Sequence, residues 1–349
     1  MSHARVTTDH DKKVLDQLTK IGISKATKIA QTLQGNIWRA SVTANTQSDH
    51  DTDHKDEVHA HSTQSIIVKV TDRHLSNKGV SKVGNKMVRV HENIENEAKI
   101  LKHVTDHADC PKSIVKFHQF LSTDSDSLLF MEDGGSSLFD FVVKAHTLIR
   151  SGKIAVSEWI QMVKVIFKQM VECTEYLHSK KVCHLDISME NFLINDVMVE
   201  AVKEDGENDE QIKFETDKVQ IKLCDFGLAE LFTEDECLCA KWCGKVNYKS
   251  PEVVEKKQSF HAKKNDIWCL GVTLFMMVTG CPPWSMASAS DDRYVNMTNG
   301  FLKYMLESWG LLSFVDDALL NLFESIFKRE ADRIGLDEIK SHSWFAGDQ

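Results

Sequence analysis

VCHLDISMENFLI, Val182 to Ile194, is the stretch on which this chain's fold and chemistry turn. Two short apolar runs, Val182 with Cys183 and Phe192 to Ile194, bracket a polar middle that holds His184, Asp186, Glu190 and Asn191. Downstream, past an acidic segment from Asp196 to Asp217 with nine Asp and Glu residues, a β-branched run VQIKL leads into Cys224, Asp225, Phe226 and Gly227. FLI and VQIKL read as strands of one hairpin, with the acidic segment inserted at its turn. Asp and Asn offer hard oxygen atoms of the kind that magnesium takes as ligands.

The surrounding chain is long enough, at 349 residues, to bury a sizeable core. Forty-two Lys and Arg against 52 Asp and Glu give a formal net charge of −10, which argues against a general affinity for nucleic acid or anionic lipid and leaves a local basic site open. The start has no apolar leader, and the longest apolar run, near Trp268 to Thr279, is too short to span a bilayer and is broken by Gly271, so no membrane span is expected. Nine cysteines without a regular framework point to a reducing compartment, cytoplasmic or nuclear.

Strand-like runs dominate the first third. Apolar residues around Ile37 and Trp38, then SIIVKV at Ser65 to Val70, flank a polar stretch from Asn45 to Gln64 that reads as a solvated loop. His50, His54, His59 and His61 in that loop are compatible with a transition metal or, with more weight, with plain solvation. HENIENEAKILKHV aligns Ile94, Ala98, Leu101 and Val104 on one helical face with Glu97 on its flank. Short strands follow at Val115 to Phe120 and Leu128 to Met131, and Trp159 to Leu177 repeats apolar residues at helical spacing. From DIWCLGVTLFMMVTG onward the chain reads as helical. Strands first and helices afterwards predict an α+β fold, with a small β-rich lobe at 21–131 and a larger helical lobe at 135–346, preceded by an extension at 1–20 and carrying polar insertions near 45–64, 74–90 and 196–217.

Phosphoryl transfer needs groups that position a triphosphate, oxygen ligands for a metal, and an acid facing the attacking hydroxyl. IIVK with Lys69, EAKIL with Glu97, HLDISMEN with Asp186 and Asn191, CDFG with Asp225, SPE with Glu252, DIWCLG with Asp266 and ADRI with Arg333 occur in order. Together they resemble the eukaryotic protein kinase domain over about Ile21 to Phe345. The resemblance implies ATP and Mg²⁺ as cofactors. It implies that Lys69 contacts the α- and β-phosphates and pairs with Glu97, that Asp186 is the catalytic acid residue, and that Asn191 and Asp225 are metal ligands. It implies further that Glu252 pairs with Arg333 and that Asp266 braces the catalytic loop. In the hinge MEDGGSSLF, Met131 would guard the back of the adenine pocket, with backbone groups of Glu132 and Gly134 facing the base. Ile29, Gly35, Ile37, Ile67 and Leu193 complete the implied nucleotide-binding set. The last helices, Leu322 to Phe345, resemble those of calcium/calmodulin-dependent-type serine/threonine kinases, although no calmodulin or calcium site is evident.

Several positions depart from the family pattern. In AQTLQGNI only Gly35 survives of the phosphate-loop glycines; Ala30 and Thr32 replace the other two, and their Cβ atoms should stiffen the loop and weaken ATP binding. Ile67 stands where the family has alanine. Leu185 removes the arginine that pairs with a phosphorylated activation segment, and that segment has only Thr233, Tyr248 and Ser250 as hydroxyl residues, so phosphate switching there is not expected. Cys237, Cys239 and Cys243 read as reduced thiols in a partly exposed loop, with a redox or metal role as the alternative. Serine at 188 replaces the catalytic-loop lysine, and Lys245 in GKVNY stands where the family has threonine. An exchange in which Lys245 supplies the charge missing at Ser188 is one explanation; independent loss in a pseudokinase is the other. The expected function is transfer of the γ-phosphate of ATP to serine or threonine hydroxyls of a protein, Glu190 hinting at basic residues near the phosphosite. The alternative is a scaffold that binds ATP or a partner without efficient transfer.

Overall fold

In the computed structural model, which describes residues 8–23, 25–43, 63–83, 86–195, 197–199 and 212–346, the chain divides into two units. One comprises Met1–Ala98 with Lys116–Asp133, the other Lys99–Val115 with Gly134–Gln349. The four histidines of the first insertion, and residues 200–211 of the acidic one, lie outside the described residues.

The first unit begins with α1 (Asp9–Lys20), followed by β1 (Lys25–Gln31), β2 (Gly35–Thr43) and β3 (Thr63–Asp72). Then come α2 (Arg73–Lys78), a hairpin of β4 (Val80–Val83) and β5 (Lys86–Arg89), α3 (Ile94–Thr105), whose residues after Ala98 count with the second unit, β6 (Phe117–Ser122) and β7 (Asp126–Glu132). Five of these strands form an antiparallel sheet in the order β1-β2-β3-β7-β6. Alternation along β3 sorts its residues: Ile66, Val68 and Val70 join Trp38, Ala40, Leu128 and Phe130 in a buried cluster on one face. Cross-strand register puts Ile37, Ile67, Lys69, Leu129 and Met131 on the other face.

The first face is covered by α1, because Val14 and Leu18, four residues apart, fall on one side of it and enter that cluster. Each side chain contributes roughly 2 kcal/mol by its burial. A capping box starts the helix, with Asp11 N–H donating to Thr8 Oγ1 at 3.1 Å and Thr8 N–H to Asp11 Oδ2 at 3.0 Å. Lys28 of β1 donates to Asp11 Oδ1 at 3.0 Å and ties the helix to the sheet edge. Residues 9–20, expected as an extension, are thus built into the first unit, for the apolar face of the sheet needs a cover.

Among the described residues of the polar stretch near 74–90, α2, β4 and β5 are regular elements. Asp72 caps α2 by accepting Leu75 N–H at 3.0 Å, and Gly79, at φ +59°, ends it in the left-handed conformation.

In the second unit β8 (Ser136–Ser137), α4 (Leu138–Arg150), α5 (Val156–Ser179) and β9 (Val182–Cys183) precede the hairpin of β10 (Phe192–Ile194). Its rim is β11 (Met198–Val199) and β12 (Lys213–Phe214), and its return strand is β13 (Ile221–Leu223). β10 pairs antiparallel with β13, as FLI and VQIKL require. The flanks of the acidic insertion are more structured than an inserted loop: β11 pairs with β12, and the Phe214 ring lies 6.0 Å from Phe141 and 5.9 Å from Trp159. After α6 (Pro251–Val254), α7 (Ala262–Thr279) is buried along most of its length. Gly271 lets Ile326 approach α7, since a Cβ there would lie 2.4 Å from Ile326 Cγ2. No helix among the described residues is long and apolar enough to cross a membrane.

Candidate active site

In the first unit, the strand positions on the open face come together in rows. Ala30, Ile37, Lys69 and Leu129 lie opposite one another across β1, β2, β3 and β7, and the next row runs through Arg39, Ile67 and Met131. Ile29 is the residue that the β1–β2 ladder skips, between the pairs Lys28 with Trp38 and Ala30 with Ile37. Lys69 donates from Nζ to Glu97 Oε2 at 2.8 Å, joining β3 to α3. Both side chains are buried, so each charge depends on the other. Met131 is buried, and Glu132 N–H donates to Lys116 O at 2.9 Å.

Gly35 has a packing reason to be glycine. A Cβ at this position would lie 1.9 Å from Val70 O, so only a bare Cα lets the start of β2 meet β3.

The second unit holds the remaining set. Asp266 Oδ1 accepts Leu185 N–H at 2.9 Å, and its Oδ2 accepts His184 N–H at 2.9 Å and sits 3.0 Å from His178 Nε2. This brace holds Leu185 at φ +63°, a left-handed conformation that a branched side chain rarely adopts unaided. Leu185 packs into the core where the family's arginine would be charged. His184 packs edge-on to Phe226, and burial pushes its pKa below the ordinary imidazole value despite the carboxylates of Asp266, Asp186 and Asp225 around it. His184 is therefore held neutral and serves as a structural ring.

Asp186 is the centre of the polar cluster. Asn191 donates from Nδ2 to Asp186 Oδ2 at 2.7 Å and to its carbonyl at 2.7 Å, which commits both amide hydrogens and leaves the amide oxygen as an acceptor. Lys245 Nζ lies 2.9 Å from Asp186 Oδ2 and 2.8 Å from Ser188 Oγ, and its backbone N–H donates to Asp186 Oδ1 at 3.3 Å. Serine 188 and Lys245, fifty-seven positions apart, are thus in direct contact. Gly244, at φ +92°, turns the chain so that Lys245 reaches in. Asp225, at φ +62°, accepts Gly227 N–H at 3.4 Å. Leu193 on β10 lies against Gly134, whose Cβ would come within 2.6 Å of Leu193 Cδ1.

The scaffold pairs form as expected. Arg333 donates to both oxygens of Glu252 at 2.6 and 3.1 Å, fully out of solvent. The cysteine expectation is corrected. Cys237, Cys239 and Cys243 are buried with Cys183, Leu185 and Phe260 in one apolar cluster. Burial raises all three thiols, Cys243 to about 12, so they are inert core residues at neutral pH. Ser250 and Tyr248 are buried too, which leaves Thr233 as the exposed hydroxyl of that segment. Sequence patterning missed the contact of Tyr248, whose hydroxyl receives Met189 N–H at 3.4 Å, and the contacts of Gln34 and Ser81 described below. No local signal marks these residues.

The protein kinase domain model matches residues 60–345. Among similar curated proteins, the probable serine/threonine-protein kinase MARK-B of Dictyostelium discoideum is 28% identical over 263 residues, 74% of this chain and 31% of that protein. The DNA damage response protein kinase DUN1 of Saccharomyces cerevisiae is 30% identical over 188 residues, 52% of this chain and 34% of that protein. The SNF1-like protein kinase ssp2 of Schizosaccharomyces pombe is 24% identical over 288 residues, 82% of this chain and 40% of that protein. The chain spans less than half the length of these relatives.

Proposed function

The chain belongs to the protein kinase domain family, and on that premise we propose that it transfers the γ-phosphate of ATP to serine or threonine hydroxyls of a protein, with Lys245 acting for the lysine absent at Ser188. The observation that carries this is the position of Lys245 Nζ, 2.9 Å from Asp186 Oδ2 and 2.8 Å from Ser188 Oγ. An ammonium held there supplies positive charge beside the acid residue, which is where a transferring phosphoryl group needs it.

The donor set fits a magnesium ion. Asn191 has its amide hydrogens committed to Asp186 and its oxygen left over, and Asp225 adds a carboxylate, so Asn191 and Asp225 would hold the metal. Bound there, magnesium would neutralise phosphate charge. Asp186 orients the substrate hydroxyl and accepts its proton. Lys69, fixed by Glu97, would hold the α- and β-phosphates; Ile29, Ile37, Ile67, Met131 and Leu193 would line the base, with backbone groups of Glu132 and Gly134 facing it, and Gly35 would lie at the phosphate loop. The kinase domain itself is read as residues 21–346.

Glu190 is exposed, four residues after Asp186 in the chain, which favours a protein substrate with a basic residue near the phosphosite. All nine cysteines are free thiols, which suits a reducing, cytoplasmic or nuclear setting. The test is turnover of a serine/threonine peptide library by the purified chain with ATP and Mg²⁺, against Asp186→Ala. Equal signals from the two would overturn the reading and leave a scaffold. A drop in turnover at saturating ATP in Lys245→Ala is expected; an unchanged rate would sink the exchange of roles.

A further inference from the structure

The turn between β1 and β2, Thr32 to Gln34, lacks the glycines of a phosphate loop, yet it is held by contacts that the family pattern does not supply. Ser81, on β4, donates from its hydroxyl to Leu33 O. Asp72, at the end of β3, donates its N–H to Gln34 O at 2.9 Å. The Gln34 carboxamide reaches the other way, donating to Val80 O at 3.1 Å and Leu75 O at 3.4 Å. Both Ser81 and Gln34 are more than nine-tenths buried. Thr32 N–H closes the turn onto Gly35 O at 2.9 Å. The Leu33 carbonyl and the Gln34 carboxamide are therefore bound to the α2–β5 segment and the Gln34 carbonyl to the end of β3, so the turn is bolted to the body of its unit.

The consequence follows from the trans peptide, which points its C=O and N–H in opposite directions. Binding Leu33 O to Ser81 aims the N–H of Gln34 away from β4, and that N–H has no hydrogen-bond partner among the described residues. An oriented, unpaired peptide N–H in a tight turn is the element from which anion-binding turns are built.

We propose that Ser81 and Gln34 are positioning residues for the nucleotide: they bolt the β1–β2 turn so that the Gln34 peptide N–H is presented, already ordered, to a phosphate oxygen. A glycine-rich loop reaches that geometry by freedom and loses the freedom on binding; this turn has lost it on folding, which lowers the ordering cost of binding. The proposal rests on the reading of the chain as an ATP-dependent kinase, and it assigns a purpose to the α2–β5 segment.

Ser81→Ala and Gln34→Ala test it, with Ser81→Thr as the variant that keeps the hydroxyl. Hydrogen exchange of the peptide spanning residues 30–36, measured without nucleotide, is expected to accelerate in both Ala variants and to stay at the wild-type level in Ser81→Thr. KM for ATP is expected to rise about fivefold, the effect of one neutral hydrogen bond, with kcat and the peptide KM unchanged. Unaltered exchange in Ser81→Ala overturns the bolt, and accelerated exchange with unaltered KM for ATP overturns its purpose. A wild-type chain that turns over no ATP while the exchange difference holds strikes the kinase reading instead.

Discussion

The catalytic loop and the β1–β2 turn both lack side chains or glycines that the family places there, and each is contacted by a remote segment of its own unit. At the catalytic loop the missing property is a charge, and Lys245 brings an ammonium to Ser188 and Asp186 from fifty-seven residues downstream. At the turn the missing property is backbone freedom, which no neighbour can lend. Ser81 and Asp72 instead fix the backbone in one conformation. A charge is transferable through space because only its final position matters, whereas conformational freedom belongs to the residue that has it. Substitutions at the two regions should therefore read out differently: in kcat at the catalytic loop, in nucleotide affinity at the turn.

The largest effect is expected at Asp186. Asp186→Ala should lower kcat about a thousandfold, since it removes the proposed proton acceptor and the carboxylate that Asn191 and Lys245 both contact. Lys245→Ala should lower kcat about a hundredfold with a smaller change in KM for ATP. The sharper form is the double swap Ser188→Lys with Lys245→Thr, which puts the charge back where the family has it. Turnover of the double variant above that of Lys245→Ala supports transferability; strictly additive losses break it.

The buried Arg333 and Glu252 pair supplies the contrast, a charge pair in the core with no substrate to serve. Arg333→Ala should destabilise the folded chain by roughly 3–5 kcal/mol in urea titration, because Glu252 is left buried without its counter-charge. Burial raises the Glu252 carboxyl, but hydrogen bonds and charge from Arg333 outweigh it and leave its pKa below the ordinary 4.5. A carboxyl depressed on folding stabilises the protein above its unfolded pKa, and that contribution fades as pH falls from about 4.5 through the folded value. The wild type should lose this increment on acidification over that window, and Arg333→Ala should not. The smallest effect belongs to Ala30→Gly with Thr32→Gly. Restored glycines should move KM for ATP by less than about fivefold, because the bolts at Leu33 and Gln34 persist. A larger change would mean that the turn was never held.

Much of this was legible in the chain. HLDISMEN, CDFG, SPE and ADRI are local strings whose spacing is dictated by strand and loop geometry, and the helical period of α5 and the pairing of FLI with VQIKL follow from where apolar residues fall. The cysteines were misread because a short polar segment rich in Glu and Lys looks exposed, while three of its side chains turn inward to Cys183 and Phe260. The fate of residues 9–20 was hidden for a similar reason. The stretch is mostly polar, and only the partner face on the sheet selects Val14 and Leu18.

By itself the sequence determined the inventory: an acid, an amide, a carboxylate and a lysine–glutamate pair in family order, with a lysine missing at one position and present at another. Only the tertiary structure decided that Ser188 and Lys245 touch, that Gly35 is demanded by Val70, and that the β1–β2 turn hangs on Ser81. The physical reason is reach. Side-chain chemistry and local periodicity are written within a few residues, whereas a contact across tens of residues exists only when β-ladders and helix packing have closed the chain on itself.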